Sequence, residues 1–416
     1  MSTTSPPRRT RSDSAKTAKE EMPRDRETAA PAEETSATSG QSVIAEGSTP
    51  KSGHSALSAD IVREIYLTRP DGLASFYDGA APKEDAKSRI AALLGTVAEL
   101  ESTDPENASS IRKLLKRALR RDGKPTTEKH GRPKPAAAYH SEADRLSILR
   151  TDWSDEGVQV AVDWSQPELR IEMFVGSRAV LAGGMAPRVR AGGSPCEPIG
   201  TWEEICWESN VDVDYLELEI DLTGGVRLQR QIILTRRDGA LFVADAVLAP
   251  TSTKLNCETA LPLVAGCDFT SAEETREATT VIGKQRLLFL PLALGEWRSE
   301  SCSGDLTFEA GEVRLRQQAA QADALYVPLA VIYDRKRAKR ECTWRRLTVG
   351  ENLRLVPPGE ACGYRWQLGK EHWLAYRSLT EHRANRTVLG INLQTNFLLS
   401  RVTTGGESEP LIEIDD

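Results

Sequence analysis

Aromatic residues are missing from the first 55 positions, which are mostly Ser, Thr, Pro, Ala, Glu and Arg. Such a stretch has too little apolar surface to offset the entropy of ordering a chain. It is excluded from any packed core and reads as a disordered tail over residues 1–55. The chain also lacks any apolar run as long as a membrane-spanning helix needs, so no membrane is expected as a partner. The opening MSTTSPPRRT has no apolar stretch of the kind a secretory signal carries. Cysteine is scarce and odd in number, at seven, so the thiols cannot all pair within one chain. With no leader, reduced thiols and a cytoplasmic location are the expectation. A basic excess is absent too: 61 acidic residues against 54 basic ones leave a net charge of −7, which argues against nucleic acid as the partner. No HExxH, CxxC, GxSxG, P-loop or GxGxxG pattern occurs, and no cofactor or metal is expected.

What is present divides along the chain. ALSADIVREIY opens a small helical segment, residues 56–123. KEDAKSRIAALLGTVAELES follows, with Ile90, Leu93, Leu94, Val97 and Leu100 on one stripe. TDPENASSIRKLLKRALRRDG offers Asp104 as an N-cap, Pro105 in the first turn and Gly123 as a stop. Its residues 111–121 carry a strongly basic face, a candidate docking surface for an interaction partner. Residues 124–138 are Pro-rich and basic and read as a linker.

From 139 to 416 the period changes to two. VDYLELEIDL sets Leu216, Leu218, Ile220 and Leu222 on one face and Glu217, Glu219 and Asp221 on the other. The turn TGG leads to VRLQRQIIL, and RRDG leads on to ALFVADAVL, giving a three-stranded antiparallel meander. Strand and turn signals continue to the C-terminus. The fold class is therefore mainly β: a large antiparallel β-sandwich, preceded by the helical segment and the tail. Asp245 lies inside an apolar strand and needs a donor; Arg230 on the neighbouring strand is the expected one, in a structural ion pair.

The stretches YHSEADRLSILRTDW, VQVAVDW and VDYLELEIDLTGGVRLQRQIILTRRDGALFVADAV together resemble the β-sandwich domain of heparinase II/III-like polysaccharide lyases. The resemblance is carried by Ser147, Ile148, Leu149 and Arg150, then by Arg230, Ile232, Ile233, Leu234 and Asp245. It implies a supersandwich-like fold over roughly residues 139–416. It also implies an α/α toroid of several hundred residues in front, and this chain has only the short helical segment there. The resemblance thus supports the fold and leaves the lyase activity without much of its machinery.

Uronic-acid β-elimination requires a base, a group that neutralises the carboxylate, and an acid for the leaving oxygen. EHWLAYRSLTEHRANRTVLGINL is the segment richest in suitable groups. Its candidates are His372, Tyr376, Arg377, Asn385 and Arg386, with His382 and Arg383 between them. A second candidate is DRKRAKRECTWRRL, where Arg335, Lys336, Arg337, Lys339, Arg340, Arg345 and Arg346 stand between positions 335 and 346 against one acid, Glu341. Seven cations in so short a run can grip an anionic polysaccharide, though such a run is more often a solvated hairpin end whose cations guard an edge strand. All eight tryptophans fall at or after Trp153, where they can form core or stack on sugar rings. The leading expectation is a non-catalytic protein that binds an anionic glycan. The alternatives are a reduced lyase centred on 372–392 and an interaction protein using the basic helix.

Overall fold

The computed structural model describes residues 54–69, 74–76, 86–103, 105–120, 137–380 and 385–415. The expected tail lies outside them except for His54 and Ser55, which open the first helix. Asp104, Gly123, most of the 124–138 linker, His382 and Arg383 also lie outside the described residues.

Three helices form where the 3.6-residue period predicts them: α1 (His54–Leu67), α2 (Ala86–Thr103) and α3 (Pro105–Arg120). Proline at the first position of α3 removes an N–H that would have no helical partner. Leu93, Val97 and Leu100 of α2 and Ile111, Leu114 and Leu115 of α3 are buried together with Ile61 and Ile65 of α1. Leu94, expected on the same stripe, is 40% exposed instead. On a helix it lies too far round from Leu93 and Val97 to share their contacts fully.

The rest is antiparallel sheet. The N-terminal sheet runs in chain order through β1 (Tyr139–Ser141), β2 (Leu146–Arg150), β3 (Val158–Asp163), β4 (Leu169–Val175) and β5 (Arg178–Met185). The central sheet has eleven strands. They are β6 (Val189–Ala191), β7 (Ser194–Cys196), β8 (Glu203–Ser209), β9 (Val213–Leu222), β10 (Val226–Thr235), β11 (Ala240–Pro262), β12 (Asp268–Ser271), β13 (Ala278–Ile282), β14 (Gln285–Leu290), β15 (Gly304–Glu309) and β16 (Glu312–Ile332). Its main path is β12-β13-β14-β16-β11-β10-β9-β8. The last nine strands are β17 (Cys342–Leu347), β18 (Gly350–Glu351), β19 (Arg354–Leu355), β20 (Ala361–Leu368), β21 (Glu371–Ser378), β22 (Arg386–Val388), β23 (Ile391–Leu393), β24 (Phe397–Val402) and β25 (Ser408–Ile414). Of these, β17-β20-β21-β24-β25 make a C-terminal sheet and β19-β18-β22-β23 a small covering sheet.

The layers stack around four apolar cores. Helices pack on Leu146, Ile148 and Ala161 of the N-terminal sheet. That sheet's other face meets the central sheet through Val160, Val162, Ile171, Leu216, Leu218, Ile232 and Val243. The central sheet's second face meets the C-terminal sheet through Phe242, Tyr326, Trp366, Trp373 and Phe397. The covering sheet closes over Leu374, Tyr376 and Leu398. A strand clad on both sides cannot keep a polar face in water. The alternation of β9 holds, but its acid face is covered in part: Glu217 is buried, Glu219 is half-buried and only Asp221 of the three is exposed.

The meander is present in the expected register, with Arg230 opposite both Leu218 and Asp245. Its second turn depends on Gly239, whose φ is +69°. A Cβ there would lie 2.4 Å from the Cβ of Asp334, so a side chain is excluded by space as well as by conformation.

Candidate functional site

β21 sets His372, Leu374, Tyr376 and Ser378 on its outer face and Trp373, Ala375 and Arg377 on its inner face, as strand alternation requires. The five residues singled out for β-elimination do not share one opening. Tyr376 and Arg386 meet each other beneath the covering sheet, where an Arg386 Nη1 donates to the Tyr376 hydroxyl at 3.3 Å. The same guanidinium reaches Glu351 at 3.1 Å, Ser378 Oγ at 2.8 Å and Thr380 Oγ1 at 2.9 Å. Burial pushes the Tyr376 phenol above its ordinary range, the opposite of what a base needs. Arg377 points the other way, into the core shared with the central sheet. It donates to Glu217 Oε1 at 2.5 Å and Oε2 at 3.2 Å, and to Gln229 Oε1 at 2.7 Å. Tyr215 donates to the same Glu217 carboxylate, Gln231 donates to Tyr215 at 2.8 Å, and Tyr326 donates to Gln231 at 2.6 Å. His372 stays at the rim, its Nδ1 3.0 Å from an Arg365 nitrogen. Burial, then the positive Arg365, lowers its pKa. Asn385 is exposed at the start of β22.

The pair expected between Arg230 and Asp245 is made. Nε and Nη2 reach the two carboxylate oxygens at 2.7 and 3.0 Å. Thr259 donates to Asp245 at 2.7 Å, and Arg230 donates to the Met185 carbonyl at 2.7 Å. Every strong donor and acceptor of this buried pair is engaged, which is the condition for tolerating charge in a core. The Glu217–Arg377 pair was not legible in the sequence. Its members are 160 residues apart and belong to different sheets.

The basic segment is a turn followed by an edge strand, not the hairpin end expected. Asp334 Oδ1 accepts from the backbone N–H groups of Lys336 and Arg337 at 3.0 and 2.8 Å, starting a single 3-10 turn over Arg337–Lys339. Arg337 forks onto Glu371 with two bonds of 2.9 Å, and Arg340 shares that carboxylate. Bonding to Arg337 holds the Glu371 carboxyl below its usual range. Two of the seven cations thus share one carboxylate. Arg335, Lys336, Lys339, Arg345 and Arg346 are exposed and make no ion pair among the described residues.

β17 forms the rim of the C-terminal sheet, and alternation divides its side chains. Trp344 turns inward opposite Trp366, its indole N–H on the Leu294 carbonyl at 2.9 Å. Arg345 turns outward and is the direct cross-strand partner of Arg365. Arg365 bonds Gln367 at 3.3 Å and His372, and no acid among the described residues. Like charges in direct cross-strand register repel, and neither arginine makes an ion pair among the described residues.

The chain is similar in structure to solved polysaccharide lyases. It covers 80% of its own length against a heparan sulfate lyase from Pedobacter heparinus, with a TM-score of 0.56 at 14% identity. It covers 82% of its length against a heparinase III gene product with methylated lysines, with a TM-score of 0.51 at 11% identity. A further heparinase III matches 79% of the chain at 0.50 and 9% identity. These likenesses give the fold: a heparinase-like β-sandwich. The chain spans about half the length of these structures, covering 54%, 53% and 55% of them. No protein family matches the sequence, and no curated protein does. Among the described residues no helix is long and apolar enough to cross a membrane.

Proposed function

We propose that this protein binds an anionic polysaccharide without cleaving it, through the outer face and rim of its C-terminal sheet. The observation that carries the reading is the Arg345–Arg365 pair, two arginines in direct cross-strand register that make no ion pair among the described residues. A sulfate or carboxylate bound at this pair can accept from both guanidinium groups. Lys336, Lys339, Arg346 and Arg335 extend the positive rim, while Arg337 and Arg340 fix the turn through Glu371 and add to the local field. A glycan is favoured over nucleic acid because the chain as a whole is acidic and its fold is that of polysaccharide lyases. The catalytic alternative centred on His372, Tyr376, Arg377, Asn385 and Arg386 draws no support from a geometry in which Tyr376 and Arg386 bond each other and Arg377 serves a different core. Seven thiols with no disulfide among them fit a reducing, cytoplasmic setting.

The test is retention on immobilised heparin. Wild type is expected to bind at low salt and to elute as salt screens the rim charges. Replacing Arg345 and Arg346 by Glu should abolish retention with the circular dichroism spectrum unchanged, because both side chains are exposed on an edge strand. A wild type that passes through the column at low salt overturns the reading.

A further inference from the structure

The central sheet leaves two strand edges beside one opening. Among the described residues β12 ends the sheet path and pairs only with β13, and β15 pairs only with β16. β11 runs along one side of β16, so β14 and β15 share the other side, at opposite ends of that strand. Every pairing from β12 through β13, β14 and β16 to β15 is antiparallel. These four reversals leave β12 and β15 running in the same direction. Both line an open hollow of about 970 Å³.

The hollow follows strand edges and not a sheet face. A pocket on a face takes every second residue of a strand, because side chains alternate. This one is lined by the consecutive residues 267–272 and by Leu306, Thr307 and Phe308 in a row. β12 and β15 do not pair with each other across it. Their side chains meet instead: the rings of Phe269 and Phe308 stack at 5.1 Å and 16°, and both pack on the core between the N-terminal and central sheets. An edge strand carries a row of backbone N–H and C=O groups that only solvent serves until another strand arrives. Arg298 also lines the hollow, and it spends only its Nε, on the carbonyl of Ala272 just past the end of β12, at 3.0 Å. Its two terminal nitrogens have no partner among the described residues. The residue is held in place: its backbone N–H donates to the Glu274 carbonyl at 2.8 Å, and the buried Arg276 guanidinium grips the same loop at the Gly295 and Glu300 carbonyls, at 2.8 and 2.6 Å. Asp268, exposed and without an ion pair among the described residues, lines the hollow from the start of β12.

We propose that this hollow is a strand-binding slot, which takes an extended peptide segment of a partner protein against the β12 and β15 edges. Main-chain hydrogen bonds to an open edge supply affinity in such sites, and alternate side chains supply selectivity. The antiparallel orientation is the commoner and slightly more stable one. In it the segment starts beside Arg298 and ends beside Asp268. An acidic side chain at its start meets the unspent guanidinium, an apolar one lies on Phe269 and Phe308, and a basic one at its end meets Asp268. One free cation and one free carboxylate suit a segment of mixed charge and disfavour a polyanion. The slot belongs to the central sheet and is independent of the glycan reading, which concerns the C-terminal sheet.

The probe is a panel of acetylated and amidated peptides of about eight residues, a common strand length. They alternate valine and threonine, with one glutamate near the start and one lysine near the end. Full-length protein is titrated with the fluorescently labelled panel by anisotropy, and amide hydrogen exchange is followed with and without peptide. Bound peptide should slow exchange within residues 268–271 and 304–309. A peptide N-methylated at alternate amides should lose binding, because it can no longer donate to a strand edge. Arg298→Glu, a change at an exposed side chain, should weaken the panel roughly tenfold, and a peptide with lysine in place of the glutamate should recover that loss. No binding by wild type overturns the slot. So does binding that N-methylation leaves unchanged, or binding that alters exchange in neither strand. Reversal of Arg345 and Arg346 to Glu should leave peptide affinity as in wild type, and a loss there would move the peptide to the charged rim and overturn the slot as well.

Discussion

Arg377 and Arg345 belong to the same five-stranded sheet and face opposite ways. Arg377 enters the core and finds Glu217, Gln229 and a chain of hydroxyl and amide groups behind them. Arg345 stands on the rim and faces another arginine. A charge taken out of water has to be met by a counter-charge and by hydrogen bonds, or the fold does not form. A charge left in water is under no such demand, and its lack of a partner is tolerated at small cost. In this molecule, then, a buried counter-charge such as Glu217 for Arg377 marks a structural role, and an exposed set of cations with no ion pair among the described residues marks a surface open to a ligand.

Removing one member of the interior pair sharpens that contrast most. Arg377→Ala or Glu217→Ala should cost about 3–5 kcal/mol, because each leaves an uncompensated buried charge. Urea titration checks it, and a loss under about 1 kcal/mol would mean that water already reaches the pair. Replacing both with leucine should cost much less than either single change. Next in size are Leu218→Ala and Ile232→Ala in the doubly covered meander, each expected to cost about 2–4 kcal/mol through cavity formation. Losses under about 0.5 kcal/mol in the same titration would break the layered account. Smallest is Lys336→Ala together with Lys339→Ala on the exposed turn. A shift within about 0.5 kcal/mol is expected, and a larger one would give those lysines a structural share.

The same division explains what the sequence disclosed. The meander was legible because TGG and RRDG punctuate apolar alternation over neighbouring strands. The Arg230–Asp245 pair was legible because an Asp inside ALFVADAV needs a donor and the adjacent strand offers one. Both rest on partners close along the chain. Alternation placed Glu217 on the face opposite Leu216 and Leu218 but not its burial, because alternation reports which side a residue faces and not what covers that side. Arg386 was legible as a functional group and not as the centre of a buried network, since Glu351, Ser378 and Tyr376 converge on it only after the covering sheet folds over. The slot beside β12 and β15 left no signal in the sequence, because the order of strands in the sheet, and not the residues of either strand, decides which edges stay unpaired.

The central claim, that the Arg345–Arg365 pair is kept unbalanced for an anion, is tested most directly by one variant measured in two ways. Arg345→Gln removes one of two opposed like charges and should raise stability of the free protein by about 0.2–1 kcal/mol at low salt. The same change should lower heparin affinity and flatten its salt dependence. Thermal unfolding and heparin titration of Arg345→Gln beside wild type give both numbers. A gain in stability with a loss of heparin binding is the predicted result. A loss of stability, or heparin binding equal to wild type, would contradict the account.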